Sequence, residues 1–249
     1  MKLGDAINPK TGSSLIVSLA ARPGKTGETF YGALLAHHGI RADYVACRCD
    51  NIESDIELAK LHCIGVSVTM PFKNKIGHLI DEWHCDKGPI NTIKIIDDKL
   101  HAYNCDYLGL KDCAGELIRN KKVSILGDGA MSDNVKKLAK EYNAEYTVYS
   151  RKLGNWGHRH GQCDVLVNTT SVGMTVGVCP VDHLANTNLV IDCVIGNTDL
   201  VKLANDAKLQ VIKGSDIYVA QFMHQFEVYT GQQPDVKRVK EIAKKVFND

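Results

Sequence analysis

The chain has 249 residues, 44% hydrophobic and 24% charged, ordinary globular composition for one large domain or two small ones. A formal net charge of +1 gives no electrostatic reason to bind nucleic acid or an acidic membrane surface. No apolar run approaches a membrane span, and the opening "MKLGDAINPKTGSS" lacks the apolar centre of a signal peptide, so a cytoplasmic protein is expected.

In chain order, "SLIVSLAA" (14–21) reads as a strand and "GETFYGALLAHHG" (27–39) as a helix closed by Gly39. "ADYVACRC" (42–49) is a second strand and "IESDIELAKLHC" (52–63) a helix, with Ile52, Ile56, Leu58, Ala59 and Cys63 at roughly helical spacing. In "GVSVTM" (65–70), Val66, Val68 and Met70 alternate with Ser67 and Thr69, as in a half-buried strand, and Pro71 stops it. Strand, helix, strand, helix, strand implies parallel pairing with crossover helices. "NTIKII" (91–96) and "KLHAYN" (99–104) form a hairpin-like pair around Asp97 and Asp98, and "YLGLKDCAGELI" (107–118) is a helix.

A second unit opens at "KKVSILGDGA", followed by a helix and the strand "EYTVYS" (145–150). "CDVLVNTT" (163–170) and "NLVIDCVI" (188–195) are further strands, "DLVKLANDAK" (199–208) a helix and "QVIKG" (210–214) a last strand. Two helices end the chain, "SDIYVAQFMHQFEVYTG" (215–231) and "PDVKRVKEIAKKVFN" (234–248). The expected division is 1–107, completed by about 219–249, and 108–218, with the final helices packing back on the first domain. The nine cysteines form no C-x-x-C knuckle, so they read as small buried hydrophobes rather than zinc ligands. "GHRHG", with His158 and His160, reads as a solvated turn.

The turn "LGDGA" sets Gly127 and Gly129 between strand and helix, where glycine lets backbone N–H groups approach a pyrophosphate at the helix N-terminus. At the end of the following strand stand Ser150, Arg151 and Lys152, where an acidic residue would favour a ribose 2′-hydroxyl. Two cations there suit the 2′-phosphate of NADP; either alone reads equally as a solvated basic turn. Strand ends of open parallel sheets bind ligands. Lys73 follows one such end, and Asn91, Asn104 and Asp106 surround another. A lysine, a carboxylate and two amides together could reduce a carbonyl, the ammonium protonating the developing alkoxide and the aspartate holding it. Each also has a structural reading, as a surface lysine or a turn cap.

Together the segments "VSVTMPFK" (66–73), "INT" (90–92), "AYNCDYLGL" (102–110), "LGDGAMSDN" (126–134), "VNTTSVGM" (167–174) and "GSDIYVAQFMHQFEVYTG" (214–231) resemble the shikimate dehydrogenase family, in the family's order and over nearly the whole chain. The resemblance implies an α/β protein with an N-terminal substrate-binding domain and a Rossmann-like NADP-binding domain. It implies NADP-dependent reduction of 3-dehydroshikimate to shikimate, in aromatic amino acid biosynthesis. By resemblance, Lys73 and Asp106 are the catalytic pair. Thr69, Asn91, Asn104 and Gln221 would contact the substrate. Gly127, Gly129, Ala130, Met131, Ser150, Arg151, Lys152, Asn168, Thr169, Thr170, Val194 and Gly214 would lie along the cofactor.

The pattern departs from the family in three places. The family's H-S-x-S-P segment, whose serines bind the substrate carboxylate, is replaced by "ARPGKTGETFYG" (21–32), with Lys25 and Gly27 at the serine positions. This is closer to the shikimate dehydrogenase-like subgroup, which begins S-L-x-x-R-P and ends Q-F-E-x-Y-T, as "SLAARP" (18–23) and "QFEVYT" (225–230) do. Lys25, Thr26 or Thr29 is then expected at the carboxylate. The family's tyrosine after the late strand is Ile195 here, with Tyr218 a candidate substitute. "KLGNWGHRHGQC" (152–163) holds too many glycines for a helix, so the cofactor domain is expected to be trimmed by one βα unit. Asp133, near a helix start, would repel a pyrophosphate if it pointed inward. The altered loop keeps quinate, an aminoshikimate or another cyclic hydroxy acid open as substrate. The trimmed domain keeps a non-catalytic binding homologue open. A monomer or homodimer acting on a small molecule is expected.

Overall fold

The computed structural model describes residues 1–7, 13–160, 162–184 and 186–247. Residue 161, inside the glycine-rich 152–163 segment, and residue 248, the expected end of the last helix, lie outside them. The chain divides into two compact units, Met1–Cys105 with Met223–Asp249, and Asp106–Phe222.

The first unit opens with α1 (Leu3–Ala6), β1 (Ser14–Ala20), α2 (Thr26–His37), β2 (Ala42–Arg48), α3 (Ile52–His62) and β3 (Gly65–Val68). The short strand β4 (Glu82–Trp83) precedes the hairpin β5 (Thr92–Ile96) and β6 (Lys99–Tyr103). The sheet order is β2-β1-β3-β5-β6-β4. β1 pairs in parallel with β2 and β3, β5 runs antiparallel to β3 and β6, and β4 lies parallel to β6. Asp97 and Asp98, at φ 48° and 57°, make the tight turn that matches the twist of a two-residue hairpin. α2 ends in a Schellman motif: Gly39 is left-handed at φ 66°, its N–H reaches Ala36 O, and Ile40 N–H reaches Leu35 O. Asn51 caps α3, its side chain accepting from Ser54 N–H at 3.0 Å.

β3 departs from the expected half-buried strand. It is buried on both faces and ends at Val68, while Met70 is 66% exposed. The cause is its interior place between β1 and β5, with Tyr229 packed so closely that a Cβ on Gly65 would lie 2.5 Å from its ring.

The chain passes next into α4 (Cys105–Ala114). α4 begins two residues before the expected Tyr107, because Asn91 Oδ1 accepts the Cys105 N–H at 2.8 Å and so satisfies one of the helix's orphan donors. Asp106 therefore sits in a helical first turn.

The second unit holds β7 (Lys122–Leu126), α5 (Ala130–Glu141), β8 (Glu145–Tyr149), β9 (Val165–Asn168), β10 (Leu189–Asp192), α6 (Asp199–Asp206) and β11 (Gln210–Lys213). Its strands are all parallel, in the order β11-β10-β9-β7-β8. α5 buries Val135, Leu138 and Ala139 against a core that includes Ile125, Val165 and Val167. Between β8 and β9 the described residues form only a short 3-10 turn, Trp156–His158, with no α-helix or strand. α7 (Gly214–Thr230) leaves β11 directly, and α8 (Val236–Phe247) ends the described chain. α8 returns to the first unit, where Asp235 meets α2: its N–H donates to His38 Nε2 and its carboxylate lies 3.3 Å from His37 Nε2. Among the described residues no helix is long and apolar enough to cross a membrane.

The cysteines are free thiols, and Cys47, Cys49, Cys63, Cys105 and Cys163 are buried. Burial pushes the Cys63 thiol up to about 12, which makes it inert at neutral pH. The "GHRHG" histidines part company: His158 is exposed, while His160 stacks on His183 at 5.1 Å and is only half-buried.

Candidate functional site

In the first unit, the strand register gathers the sequence candidates at one end of the sheet. β1 runs into the loop carrying Lys25 and on into α2, which carries Thr26 and Thr29. β3 runs into Thr69 and the turn with Lys73. Asn91 immediately precedes β5, and Asn104 immediately follows β6. β5 is antiparallel to both of its neighbours, so the start of β5 and the ends of β3 and β6 lie at the same edge. Val68 N–H donates to Asn91 O at 2.8 Å, and Thr92 pairs with Tyr103, so Asn91 and Asn104 are next in register.

Lys73 is half-buried, and its carbonyl accepts the Ile90 N–H at 2.9 Å. Thr69 is half-buried and its N–H donates to Leu19 O at 3.0 Å. Asn91 and Asn104 are buried. On α2, Thr26 is half-buried, whereas Thr29 is exposed and its hydroxyl donates back to Lys25 O at 3.1 Å. Lys25 is exposed.

Beneath this edge lies a buried polar network that sequence reasoning missed. Tyr31 OH donates to Gln225 Oε1 at 2.9 Å, Gln225 Nε2 donates to Thr92 Oγ1 at 2.7 Å, and Thr92 Oγ1 donates to Asn91 Oδ1 at 2.8 Å. The Asn91 oxygen, held by Thr92 and by Cys105 N–H, is thereby turned inward. A second branch joins Tyr44 OH to Ser67 Oγ and Ser67 Oγ to Tyr229 OH, each at 2.8 Å. The Tyr31 and Tyr44 rings stack at 4.4 Å. Burial pushes the Tyr44 hydroxyl up to about 12, so it stays a donor at neutral pH. A serine in an otherwise apolar strand, and Gln225 one turn beyond Gln221, were the available signals.

In the second unit, Asp106 is buried in the first turn of α4. Gly109, three residues on and so on the same helix face, touches α7 backbone to backbone: a Cβ there would lie 2.6 Å from Gln221 N. Glycine is required at that crossing, which brings buried Gln221 beside α4. Tyr218 is half-buried, its ring 4.3 Å from that of Phe222.

The cofactor candidates fall into two groups. Gly127, Gly129, Ser150, Arg151, Lys152, Thr169 and Thr170 line one cavity of about 430 Å³, with Asp128, Trp156, Ser171 and Val172. It opens at the carboxyl ends of β7, β8 and β9. Gly127 is at φ 110°, and a Cβ there would lie 2.6 Å from Thr169 Oγ1, so both conformation and space demand glycine. Open space faces Gly129 at the start of α5, as a close backbone approach to a phosphate needs. The 150–155 turn is built rather than loose. Ser150 N–H donates to Asn155 Oδ1, Asn155 Nδ2 to Val148 O, and Leu153 N–H to Ser150 Oγ. Arg151 and Lys152 are the charged members of that turn, and both are exposed.

The other candidates do not line the cavity. Asn168 is fully buried and braces the next loop: it donates to Val172 O and Asp192 Oδ1, and accepts from Thr170 N–H and Oγ1. Burial pushes the Asp192 carboxyl above its ordinary value, against the hydrogen bonds from Thr198, Val194 and Asn168. Met131 packs on the apolar core. Ala130 is half-buried and Val194 buried. Gly214 allows a crossing in which its Cβ would lie 2.4 Å from Val194 O. The expectation for Asp133 also shifts. It pairs with Lys136 at 2.6 Å, and the carboxylate that lines the cavity is Asp128, 3.7 Å from both Lys136 and Lys152.

No family model matches the chain. The chain is 30% identical over 259 residues to a shikimate dehydrogenase-like protein of Haemophilus influenzae, covering 93% of this chain and 96% of that one. A shikimate dehydrogenase (NADP(+)) of Methanococcus maripaludis is 30% identical over 206 residues, covering 69% and 74%. The solved structure of a shikimate 5-dehydrogenase-like protein superposes with a TM-score of 0.82 at 28% identity, covering 96% and 99%.

Proposed function

The chain belongs to the shikimate dehydrogenase family, and from that premise we propose that it is an NADP-dependent oxidoreductase interconverting 3-dehydroshikimate and shikimate. The observation that carries the reading is the register-fixed gathering of Thr69, Lys73, Asn91 and Asn104 at one sheet edge. Lys73 and Asp106 are the catalytic pair of this proposal. In this proposal the Lys73 ammonium gives its proton to the oxygen of the carbonyl being reduced, and the negative charge of the Asp106 carboxylate favours the protonated form of the lysine. Asn91, Asn104, Thr69 and Gln221 hydrogen-bond the ring hydroxyls. Lys25 or Thr26 is proposed at the carboxylate ahead of Thr29, because the Thr29 hydroxyl proton goes to Lys25 O.

The glycine cradle at Gly127 and the two cations on the braced turn fit a phosphorylated dinucleotide. Bound NADPH would supply the hydride. Gly127 and Gly129 would admit its pyrophosphate, and Arg151 and Lys152 would hold its 2′-phosphate. The missing serine pair favours a second reading, the same chemistry on quinate or another cyclic hydroxy acid.

The test is the absorbance of NADPH on mixing with 3-dehydroshikimate, and of NADP with shikimate or quinate. Turnover of shikimate supports the proposal. Turnover of quinate alone transfers it to the second reading. Binding of shikimate without turnover of any substrate would sink both and leave a binding homologue.

A further inference from the structure

We propose that Glu82, His84 and His101 form a binding site for a transition metal ion of the zinc class. It stands at the edge of the first unit's sheet and does not rest on the proposed reaction. β4 pairs with β6 so that Glu82 lies directly opposite His101. His84 follows two residues after Glu82, and its N–H donates to Ala102 O at 2.9 Å. Alternate residues of an extended segment share a face, so the three side chains project together.

The distances suit a metal. His84 Nε2 lies 3.0 Å from His101 Nδ1, and His101 Nδ1 lies 3.5 Å from Glu82 Oε2. All three ligand atoms fall within 4.8 Å of one another. Zinc takes nitrogen and carboxylate oxygen at about 2.0–2.2 Å in a tetrahedron, which sets ligand atoms roughly 3.3–3.6 Å apart. Two edges of that triangle already stand near this value, and the third closes by rotation of the exposed Glu82 side chain. Two imidazoles and one carboxylate favour zinc, nickel or copper over magnesium or calcium. A water would complete the tetrahedron.

The site is held in shape before any ion arrives. The His84 ring stacks on Tyr103 at 4.6 Å and 4°, and the His101 side chain is 11% exposed. Lys99 engages the other carboxylate oxygen, Oε1, at 3.7 Å, which leaves Oε2 toward the histidines. Without metal, one ring N–H donates to the other ring. Metal binding needs that proton moved to the far nitrogen of its own ring, a tautomer change that keeps both rings neutral. The ion would pin β4, a strand of only two residues, within the segment that joins Lys73 to Asn91.

The experiment is calorimetric titration of chelator-stripped protein with zinc chloride, for wild type, His84→Ala, His101→Gln and Glu82→Gln. One equivalent should bind wild type, with affinity falling at least tenfold in either histidine variant and less in Glu82→Gln. His84 is exposed, so His84→Ala tests the site even if His101→Gln fails to fold. X-ray absorption of the zinc complex should show nitrogen and oxygen ligands alone. Unchanged affinity in His84→Ala, sulfur in the coordination shell, or no binding by wild type would each overturn the proposal.

Discussion

The two candidate regions are built on opposite plans. The edge carrying Lys73, Asn91 and Asn104 rests on a closed chain of buried hydrogen bonds running from Tyr31 through Gln225 and Thr92 to Asn91. The turn carrying Arg151 and Lys152 is braced from within by Ser150 and Asn155, but its charged tips stand in solvent beside Asp128. Leaving one buried polar group unpaired costs about 1–3 kcal/mol, whereas an exposed ion pair is worth only about 0–1 kcal/mol. The first region is therefore fixed by folding, and each change there should act on catalysis or stability together with neighbours. The second is tunable, and each change there should act on cofactor affinity alone.

The comparison breaks most readily at Lys73. In its proposed role as acid–base and electrostatic group it should contribute on the order of 10² to 10⁴ in rate. Lys73→Met keeps most of the stem and removes the charge, so turnover should collapse while the fold, followed by circular dichroism, and NADP binding persist. Asp106→Asn should also impair turnover. The double variant should be little worse than either alone, because groups acting as a unit are not additive. Turnover of Lys73→Met within a few-fold of wild type would make the lysine a structural turn residue.

Arg151→Ala sharpens the other side. A charge-assisted phosphate contact is worth about 1.5–3 kcal/mol, so NADP affinity should fall roughly tenfold to a hundredfold. NAD affinity and thermal stability should hardly move. An equal loss for both cofactors would mean that Arg151 does not read the 2′-phosphate.

What was legible in the chain follows the same division. Element types were readable wherever periodicity or turn residues mark them locally: α3, the hairpin around Asp97 and the glycine turn at Gly127 all lie where the pattern puts them. β3 misled because alternation of valine with serine and threonine reads as one solvated face, while Ser67 is buried and hydrogen-bonded to Tyr44 and Tyr229. The early start of α4 was invisible because its cap, Asn91, stands 14 residues upstream. Asn168, expected near the cofactor, also braces its own loop through Asp192, a partner 24 residues away. Local pattern cannot show a hydrogen bond made across a sheet.

Gln225→Met tests whether the buried chain orients Asn91. The substitution keeps volume and removes both the acceptor of the Tyr31 hydroxyl and the amide that donates to Thr92 Oγ1. Stability should fall by about 1–3 kcal/mol, and a chain of this size loses roughly 2–4 °C of Tm per kcal/mol. The Michaelis constant for substrate should rise several-fold if Asn91 loses its orientation. A Tm drop with an unchanged Michaelis constant would reduce Gln225 to a packing role.

The smallest expected effect belongs to Asp128, and it has the opposite sign. This carboxylate lines the cavity and lies 3.7 Å from the Nζ atoms of Lys136 and Lys152. Two unit charges about 4 Å apart in water interact by about 1 kcal/mol, and the Lys152 side chain is 83% exposed, so screening holds the contribution near that value. Removing the charge has two consequences. On the proposed reading it would free Lys152 for the 2′-phosphate and remove a negative charge that repels a phosphate entering the cavity. Asp128→Asn should therefore tighten NADP a few-fold and NAD less. The gain should shrink as salt rises, since the Debye length is about 10 Å at 0.1 M and about 3 Å at 1 M. Titrating both cofactors at low and high salt separates the outcomes. Weaker NADP binding in Asp128→Asn would mean that the carboxylate accepts hydrogen bonds from the cofactor, and the exposed turn would then be as fixed as the buried edge.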